Sequence, residues 1–361
     1  MKRIVYITTA TFPARKASSI QVMQMCAGLA AAGAAVKLVA RAPDRAPLSP
    51  AALCTHYDVP AAFEIDQRRL PFGPRASDRF QAAAIRRERG ADVCYTRGRD
   101  VVAPPLALAA GMHAVVEVHG RPASARERWL LKWLNRRPRA RLVAISEPLR
   151  SLYRGEYGFA PERFLVAPDG VDLHRFTPPL DRDIARNRLK ISGGRWVVYI
   201  GGLYRGRGLE TLFEAMAGID ARLLVVGGRD ESEIETWRKM AANTAPDKVQ
   251  FAGYQNSAAV PLFLAAADVL AMPYSSRTIT PSGEDTTAWM SPLKMFEYMA
   301  AQRPIVATDL PAIRSVLSEG VDALLAPPDD PKALAEALTR LLSNPALAQN
   351  LAAAARAKAE T

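Results

Sequence analysis

A glycine-rich segment with two arginines, Gly201–Gly208 (GGLYRGRG), follows one predicted strand and precedes a predicted helix. Glycines let backbone amides come close to an anion, and Arg205 and Arg207 supply positive charge. The spacing is not that of the phosphate loop of nucleoside triphosphatases, and it is not a clean G-x-G-x-x-G at the start of the chain. The segment therefore predicts a phosphate site, and a plain turn with two solvated arginines is the alternative.

A second segment, Ser291–Ala300 (SPLKMFEYMA), has a proline at the start of a predicted helix. The next free amides and the helix dipole suit a diphosphate. The residues of this predicted diphosphate site are Ser291, Pro292, Leu293 and Lys294. Glu297 lies about one and a half turns into the helix, and its side chain leans back toward the N-terminus, within reach of hydroxyls beside the phosphate. For Glu297 alone, a surface glutamate is the more frequent outcome.

Two further segments carry polar or aromatic residues at the ends of predicted strands. The strand Val249–Phe251 leads to Gly253 and Tyr254, which would present backbone groups and a ring to a flat nucleotide base. A buried aromatic is the alternative for Tyr254. The segment Glu117–Gly120 (EVHG) puts His119 at a strand end, where open parallel sheets bind ligands. A structural histidine is the alternative there.

Short apolar runs alternate with helical patterns along the whole chain. Continuous apolar runs of this length are typical of strands covered on both faces. The predicted strands are Ile4–Ile7, Val36–Ala40, Val93–Thr96, Val115–His119, Leu142–Ser146, Phe164–Pro168, Trp196–Ile200, Arg222–Val226, Val249–Phe251, Val269–Met272, Ile305–Thr308 and Ala323–Leu325. The predicted helices include Ile20–Ala32, one capped by Ser146, Gly208–Ala217, Pro292–Ala301 and Pro331–Leu342.

This alternation predicts an α/β protein with parallel sheets and right-handed crossovers. The segment 174–195 is polar, carries two adjacent prolines and ends in glycines, so it predicts a linker, with or without a short helix. The predicted organisation is therefore two doubly wound domains, 1–173 and 196–361, joined by 174–195. Ligands of such folds bind at the carboxyl ends of the strands, beside helix N-termini.

Composition narrows the class of protein. Of the 361 residues, 49% are hydrophobic and 23% are charged, which is the balance of a globular protein. Three widely spaced cysteines indicate reduced thiols rather than a disulfide scaffold. Four histidines that never pair at ligand spacing predict no metal site. Because no apolar stretch suits a membrane span or a signal peptide, we expect a cytoplasmic protein.

The net charge of +12 is concentrated in the first half of the chain. Residues 1–175 hold 28 Lys/Arg against 15 Asp/Glu, a net +13, whereas 176–361 hold 20 against 21. Such asymmetry indicates a polyanionic partner, either nucleic acid or an anionic membrane. The basic segment Arg126–Arg141 includes Trp129 and Trp133, and it predicts salt-sensitive binding to an anionic bilayer. The alternative is that both tryptophans belong to the core face of a helix.

A nucleic-acid partner is not expected. Nucleic-acid binding predicts aromatic residues interleaved with basic ones on an exposed sheet or groove. The arginines of this chain instead fall mostly on predicted helices and loops. The excess charge therefore favours the membrane over nucleic acid.

Taken together, these segments resemble the family 4 glycosyltransferases of the GT-B architecture, over nearly the whole chain. The motifs that carry the resemblance are Ser18-Ser19-Ile20, Glu117–Gly120, Ala144–Glu147, Pro168–Asp172, Gly201–Gly208, Leu224–Gly228, Ala267–Val269 and Ser291–Ala301. The resemblance implies two Rossmann-like domains facing across a cleft. It also implies a metal-independent, retaining transfer of a sugar, with the acceptor in the first domain and the nucleotide in the second.

The resemblance also implies roles for single residues. Arg207 is similar to the family's basic residue on the pyrophosphate, with Arg205 as a helper, and Glu297 is similar to its ribose-binding glutamate. His119 is similar to the histidine near the transferred sugar. The serine pair Ser18 and Ser19 falls on the donor and acceptor side of the cleft. No cofactor is implied beyond the nucleotide sugar itself.

The sequence departs from the family pattern at one carboxylate. A glutamate often stands eight residues before the one matched by Glu297, and here that position is Trp289. Glu284, Asp285 or backbone amides near Pro292 are the candidates to replace it. The family's C-terminal helix, which crosses back to the first domain, would be short or missing.

The expected activity is transfer from a UDP- or GDP-sugar to a glycan or lipid-linked acceptor in cell-surface polysaccharide biosynthesis. The acceptor places the protein at the inner face of the cytoplasmic membrane. The absent glutamate leaves one alternative within the same fold, a catalytically inactive protein that binds sugar nucleotides or serves as a scaffold.

Overall fold

The computed structural model of the chain describes residues 1–14, 16–44, 46–98, 100–191, 193–280 and 283–361. The chain divides into two compact units, Met1–Pro168 and Asp169–Thr361. Each unit has its own parallel sheet with helices between successive strands. The α/β class and the two-domain organisation predicted from the sequence are thus confirmed.

Within its described residues, the first unit has a seven-stranded sheet of order β3-β2-β1-β4-β5-β6-β7. This order reverses at β1, as in doubly wound folds. The strands are β1 (Arg3–Thr11), β2 (Ala35–Arg41), β3 (Glu64–Arg68), β4 (Val93–Arg97), β5 (His113–Val118), β6 (Ala140–Ala144) and β7 (Phe164–Val166). The helices are α1 (Ala17–Ala31), α2 (Pro50–Tyr57), α3 (Ala76–Arg87), α4 (Ala103–Ala109), α5 (Ala125–Asn135) and α6 (Glu147–Tyr157).

The second unit repeats the arrangement, with six strands in its described part, in the order β10-β9-β8-β11-β12-β13. They are β8 (Trp196–Ile200), β9 (Arg222–Val226), β10 (Val249–Gly253), β11 (Val269–Met272), β12 (Ile305–Thr308) and β13 (Leu324–Ala326). Its helices are α7 (Arg182–Leu189), α8 (Leu209–Ala217), α9 (Glu231–Thr244), α10 (Val260–Ala265), α11 (Leu293–Ala300), α12 (Pro311–Arg314), α13 (Pro331–Ser343) and α14 (Pro345–Ala359).

All twelve strands predicted from apolar runs are present, and four have the predicted bounds. The helix predicted after Ser146 is also present, and the Ser146 hydroxyl accepts a hydrogen bond from the Leu149 amide at 3.3 Å. The thirteenth strand, β3 (EIDQR), was not predicted. It pairs with β2 alone, at one edge of the sheet, and none of its side chains is fully buried, so it lacks the apolar run typical of the central strands.

The segment 174–195, predicted as a linker with or without a short helix, lies within the second unit, since the chain divides earlier, after Pro168. Helix α7 lies in its middle and is tied to the second unit by Asp268. The Asp268 carboxylate pairs with Arg186 at 2.5 Å and Arg182 at 2.6 Å, and it accepts the Trp196 amide at 2.6 Å. The polar composition of this segment therefore reflects ion pairs between α7 and Asp268, the residue before β11.

Helix α14 packs within the second unit. The Arg356 guanidinium donates to the Ala300 carbonyl at the end of α11, at 2.7 Å. It also donates to the Thr177 hydroxyl at 3.1 Å. These bonds connect the last described helix to α11 and to the start of the unit.

The glycine-rich loop between β8 and α8 is shaped by backbone conformations that L-residues rarely adopt. Gly208 has φ +72°, and a Cβ there would lie 1.4 Å from the Pro273 carbonyl oxygen. Gly206 has φ +86°, and a Cβ there would lie 2.7 Å from the Arg277 carbonyl oxygen. Glycine is therefore required at both positions for the loop to lie against the segment after β11.

We expect Gly208→Ala to destabilise the second unit by at least about 2 kcal/mol, since it adds a steric clash to a left-handed backbone. Gly218, at the other end of α8, is the matched control. Its φ is −91° and a Cβ there meets nothing within 4 Å, so Gly218→Ala should be neutral or slightly stabilising. Urea unfolding of both variants measures the difference. Equal stabilities would contradict the proposed close approach.

Candidate functional site

In the second unit, the candidate site lies at the carboxyl end of β8, where the glycine-rich loop meets the start of α11. The Tyr298 hydroxyl, on α11, accepts the Ile200 amide of β8 at 2.8 Å. The Tyr199 hydroxyl donates to the Gly202 carbonyl at 2.7 Å. These two buried tyrosines fix the loop and the helix against the same strand end. The two strongest sequence motifs are thereby brought together.

Lys294 is the buried cation of this site. Its side chain is 8% exposed, and its Nζ lies 4.0 Å from the ring centroid of Tyr199 and 4.9 Å from that of Tyr274. A Cβ on Gly201 would lie 2.9 Å from this Nζ, so the glycine makes room for the ammonium. Among the described residues, Nζ has no hydrogen-bond partner.

Arg207 lies beside Lys294, and both cations contact the ring of Tyr274. The Arg207 Cζ is 4.9 Å from the Tyr274 ring centroid and 4.3 Å from that of Tyr204. Its Nε is buried and lacks a hydrogen-bond partner within the described chain. Burial, followed by repulsion from Arg207, lowers the pKa of Lys294 well below its ordinary range. Two cations with unused donors therefore form a concentrated positive site.

Glu297, one turn after Lys294 on α11, is held by Arg175. Its Oε1 lies 3.6 Å from the Arg175 Nη1, and the glutamate side chain is 18% exposed. The Arg175 guanidinium also donates to the Ser257 carbonyl. Burial raises the pKa of Glu297, while Arg175 and Lys294 oppose that shift. Glu297 is thus a partly covered site carboxylate and not the surface residue of the alternative interpretation.

The N-terminus of α11 completes this part of the site. The helix begins at Leu293 after Pro292, and among the described residues no side chain caps it. The preceding Ser291 hydroxyl accepts the Asp169 amide at 2.9 Å. Uncapped amides at a helix start favour an anion, as do the neighbouring cations. The arrangement suits a group with two or more negative charges.

The other residues predicted to bind nucleotide have varied surroundings. Arg205 is exposed in the glycine-rich loop. Gly253 ends β10 with φ +70°, and Tyr254 follows it with 38% of its surface exposed. The alternative of a buried Tyr254 is therefore wrong. Arg175 was missed by sequence reasoning, because nothing in its local sequence connects it with a carboxylate 122 residues away.

The position of the absent family glutamate is filled by an apolar ring. Trp289 is 7% exposed. Of the candidate replacements, Asp285 accepts hydrogen bonds from the Thr287 amide at 3.1 Å and its hydroxyl at 2.6 Å. The hydrogen bond from the Thr287 hydroxyl lowers the pKa of Asp285 most, and the bond from the Thr287 amide lowers it further. Residues 281 and 282, which precede this stretch, lie outside the described residues.

In the first unit, the candidate residue His119 belongs to a buried polar network around Glu117. Glu117 is 1% exposed and accepts hydrogen bonds from the side-chain amide of Gln21, at 2.9 Å, and from the Tyr95 hydroxyl. The His119 Nε2 contacts the same carboxylate, and its Nδ1 lies 3.0 Å from the Arg97 Nη2. Both ring nitrogens of His119 therefore have partners.

The chemistry of these partners assigns the tautomer of His119. A guanidinium only donates, so Nδ1 accepts from Arg97 and the proton of a neutral ring sits on Nε2, facing Glu117. Burial and then repulsion from Arg97 lower the pKa of His119, although Glu117 opposes the shift. Glu117 itself remains a carboxylate, because bonds and charges from its partners outweigh its burial and lower its pKa. A neutral, oriented imidazole results.

The serine pair lies in the first turn of α1. Ser19 is buried and Ser18 is half-buried. Gln21, two residues further along α1, connects this turn to Glu117. Ser19 and His119 thus belong to elements joined through one carboxylate. Arg97, which sequence reasoning missed, comes from the neighbouring strand β4.

Within the part of the chain that the structure describes, no group of three or more His, Cys, Asp or Glu side chains is placed to hold a metal ion. No helix within the described ranges is long and apolar enough to cross a bilayer.

Comparison with known proteins identifies the family. A family model described as "Glycosyltransferase Family 4" matches residues 18–175, and one described as "Glycosyl transferases group 1" matches residues 194–344. The chain belongs to the family 4 glycosyltransferases. The first match covers most of the first unit, and the second match lies within the second unit. The resemblance seen in the sequence is thus confirmed.

Two curated relatives of this family 4 chain show how far the similarity extends. It is 32% identical over 167 residues to a phosphatidyl-myo-inositol mannosyltransferase of Mycobacterium leprae, a match that covers 45% of this chain and 41% of the relative. It is 28% identical over 226 residues to a D-inositol 3-phosphate glycosyltransferase of Actinosynnema mirum, covering 59% and 51%. The chain thus spans about half the length of these relatives.

A solved structure confirms the fold. Anabaena HepE, solved in complex with UDP and glucose, matches with a TM-score of 0.76 at 17% identity, over 100% of this chain and 95% of HepE. At this identity the likeness establishes the architecture alone. The GT-B fold, with two Rossmann-like parallel-sheet domains, is therefore confirmed for this family 4 chain.

We expect Arg97→Met to raise the pKa of His119, since it removes a repelling cation and leaves Glu117 beside the ring. NMR titration of the imidazole measures the change. Arg121→Met is the control, because Arg121 pairs with Glu156 rather than with the ring. An unchanged or lowered pKa of His119 in Arg97→Met, with Arg121→Met behaving like the parent, would refute the proposed contact between Arg97 and Nδ1.

Proposed function

We propose that this chain is a retaining glycosyltransferase that uses a UDP- or GDP-sugar as donor. The acceptor is a glycan or a lipid-linked glycan, and the process is cell-surface polysaccharide biosynthesis. The observation that carries the proposal is a pair of cations, the buried Lys294 and the half-buried Arg207, beside the uncapped start of α11. The named activities of the curated relatives, both sugar transfers to inositol compounds, support it.

The proposed donor site assigns one part of the nucleotide to each group of residues. The diphosphate lies on the amides at the start of α11, against Arg207 and Lys294, with the exposed Arg205 as a helper. Glu297, which lies on the same helix and is only partly covered, accepts hydrogen bonds from the ribose hydroxyls. The base lies against Gly253 and Tyr254 at the end of β10.

In the proposed reaction, the bond between the sugar's anomeric carbon and the diphosphate oxygen breaks. Negative charge then grows on that oxygen, where Arg207 and Lys294 stabilise it in surroundings that exclude most of the water. The departing phosphate accepts the proton of the acceptor hydroxyl, which attacks the same face of the sugar. Because the two side chains and the helix amides supply the positive charge, we propose that no metal is required.

The first unit is proposed to hold the acceptor and to contact the transferred sugar. Ser18, Ser19 and His119 are the residues assigned to this role. A neutral His119 with its ring oriented by Glu117 and Arg97 contacts a sugar without adding a charge beside the reacting carbon. The protein is proposed to act in the cytoplasm, at the inner face of the membrane, where a lipid-linked acceptor is accessible.

One observation favours a second candidate, a catalytically inactive protein that binds sugar nucleotides or serves as a scaffold. Trp289 stands where the family often has a glutamate, and its ring is buried. Donor binding without transfer would be the behaviour of such a protein. Binding and turnover must therefore be measured separately.

The test is a panel of UDP- and GDP-sugars, monitored by thermal shift and then by donor hydrolysis and transfer. The melting temperature should rise with the correct donor by mass action, and EDTA should not abolish the rise. Strict dependence on a divalent ion would contradict the proposed diphosphate site. A donor that binds tightly but is neither hydrolysed nor transferred would favour the inactive candidate.

Two substitutions separate binding from chemistry. Glu297→Ala removes charge-assisted bonds worth about 1.5–3 kcal/mol, so donor affinity should fall roughly ten- to a hundred-fold. Arg207→Ala should lower turnover more than affinity, because its charge acts on the leaving group. Glu336→Ala, on the exposed face of α13, is the control. Unchanged donor affinity in Glu297→Ala would show that the nucleotide binds elsewhere.

A further inference from the structure

An aromatic side chain of the first unit is almost wholly exposed. Phe72 is 98% exposed in the loop between β3 and α3, with Pro71, Gly73 and Pro74 around it. The Arg79 guanidinium donates to the Phe72 carbonyl, which connects this loop to α3. A phenylalanine presented in this way adds apolar surface to water without packing against the core.

A groove begins beside this loop and runs between α3 and α4. Its volume is about 830 Å³, and alanines of both helices form its floor together with Leu106, which is 38% exposed. Arg79, Arg86 and Arg89 line its rim. An apolar floor beneath a cationic rim matches a molecule with an anionic head and an apolar body.

A second exposed aromatic lies on α5. Trp129 is 64% exposed, while Leu131 and Leu134 of the same helix are buried. The core-face interpretation is therefore wrong for Trp129. Arg126, three residues earlier and so on the same face of α5, pairs with Asp78 in the first turn of α3 at 3.3 Å. This pair connects the Trp129 face to the start of α3, next to the Phe72 loop.

The acidic residues of α3 and α5, and the one that directly follows α3, are all engaged within the unit. Asp78 pairs with Arg126, and Glu88 pairs with Arg68 at 2.8 Å and Lys37 at 3.3 Å. Glu127 is buried and accepts the Ala123 amide at 2.9 Å. Exposed arginines of this region that have no carboxylate partner within the described residues include Arg75, Arg79, Arg86, Arg87, Arg89 and Arg128. Their positive charge is therefore available to an external anion.

We propose that this basic aromatic face docks on a bilayer that contains anionic lipids. The face comprises the Phe72 loop, the rim of the α3–α4 groove and the exposed side of α5. Phe72 and Trp129 enter the interface between headgroups and acyl chains, and the arginines contact lipid phosphates. The inference deepens the membrane association proposed above by naming its surface, and it does not depend on donor binding.

A bilayer fits this face better than a nucleic acid does. Single strands stack their bases on aromatic rings along a continuous basic groove. Here the two rings lie outside the groove, one on a loop and one on a helix, and the groove floor is aliphatic. Such a floor offers no ring for stacking, whereas it suits an acyl chain.

The experiment is co-sedimentation of the full chain with vesicles of phosphatidylcholine alone or mixed with phosphatidylglycerol, at low and high salt. Binding should require phosphatidylglycerol and should weaken at high salt. The double variant Phe72→Ser, Trp129→Ser should bind at least about ten-fold more weakly, since two apolar insertions are lost. Leu165→Ser, Ile184→Ser is the control, because both side chains are exposed elsewhere.

A charge variant tests the rim and the α5 side. Replacing Arg86, Arg89 and Arg128 by Gln should weaken binding roughly a hundred-fold, at about a factor of five per charge. The control makes the same change in net charge with three exposed residues of the second unit, Arg188, Lys239 and Arg340. A thermal shift with UDP and GDP on every variant checks that donor binding and folding are intact.

Three results of the vesicle experiment would overturn the proposal. These are absence of parent binding to phosphatidylglycerol vesicles at low salt, equal losses in the face variants and their controls, and equal binding to pure phosphatidylcholine. Binding of a single-stranded oligonucleotide that exceeds vesicle binding, and is lost in the same variants, would assign the face to nucleic acid instead. A nucleotide shift that persists while vesicle binding fails would overturn the docking face and leave the proposed enzyme intact.

Discussion

The candidate site of the second unit is arranged around one buried cation, the ammonium of Lys294, which lies among aromatic rings and beside Arg207. An interior cation without a carboxylate at hydrogen-bond distance destabilises a fold, and the tyrosine rings offset only part of that loss. The backbone around it is therefore tightly specified: Gly201 leaves space for the ammonium, and Tyr298 ties α11 to β8. Such local conflict with stability is typical of a binding site that an anion completes.

In the first unit, by contrast, the buried charge has hydrogen-bond partners. Glu117 is almost fully buried, but hydrogen bonds from Gln21, Tyr95 and His119 satisfy its oxygens. A satisfied network of this kind is rigid and fixes the orientation of its members. One unit thus presents unused positive donors to a ligand, while the other presents an oriented neutral imidazole. These are the two properties that a charged donor and an uncharged sugar require.

The sequence predicted the sheets well because buried parallel strands are continuous apolar runs, and only the polar edge strand β3 escaped notice. It predicted a linker, with or without a short helix, at 174–195, but not the ion pairs that Asp268 makes with α7, since these join residues more than 80 positions apart. The same limit explains the site. Arg207, Lys294 and Glu297 lie in recognisable motifs, whereas Arg97 and Arg175 gain their roles only from contacts that folding creates.

The central claim, that a nucleotide diphosphate fills the site around Lys294, is tested most directly by the protons exchanged on binding. Titration calorimetry of UDP or GDP over a series of pH values from neutral to alkaline, in buffers of different ionisation enthalpy, measures that number. An anion raises the depressed pKa of Lys294, so binding should take up protons, and Lys294→Met should lose both the uptake and most of the affinity. Tight binding without proton uptake, unchanged in Lys294→Met, would contradict the account.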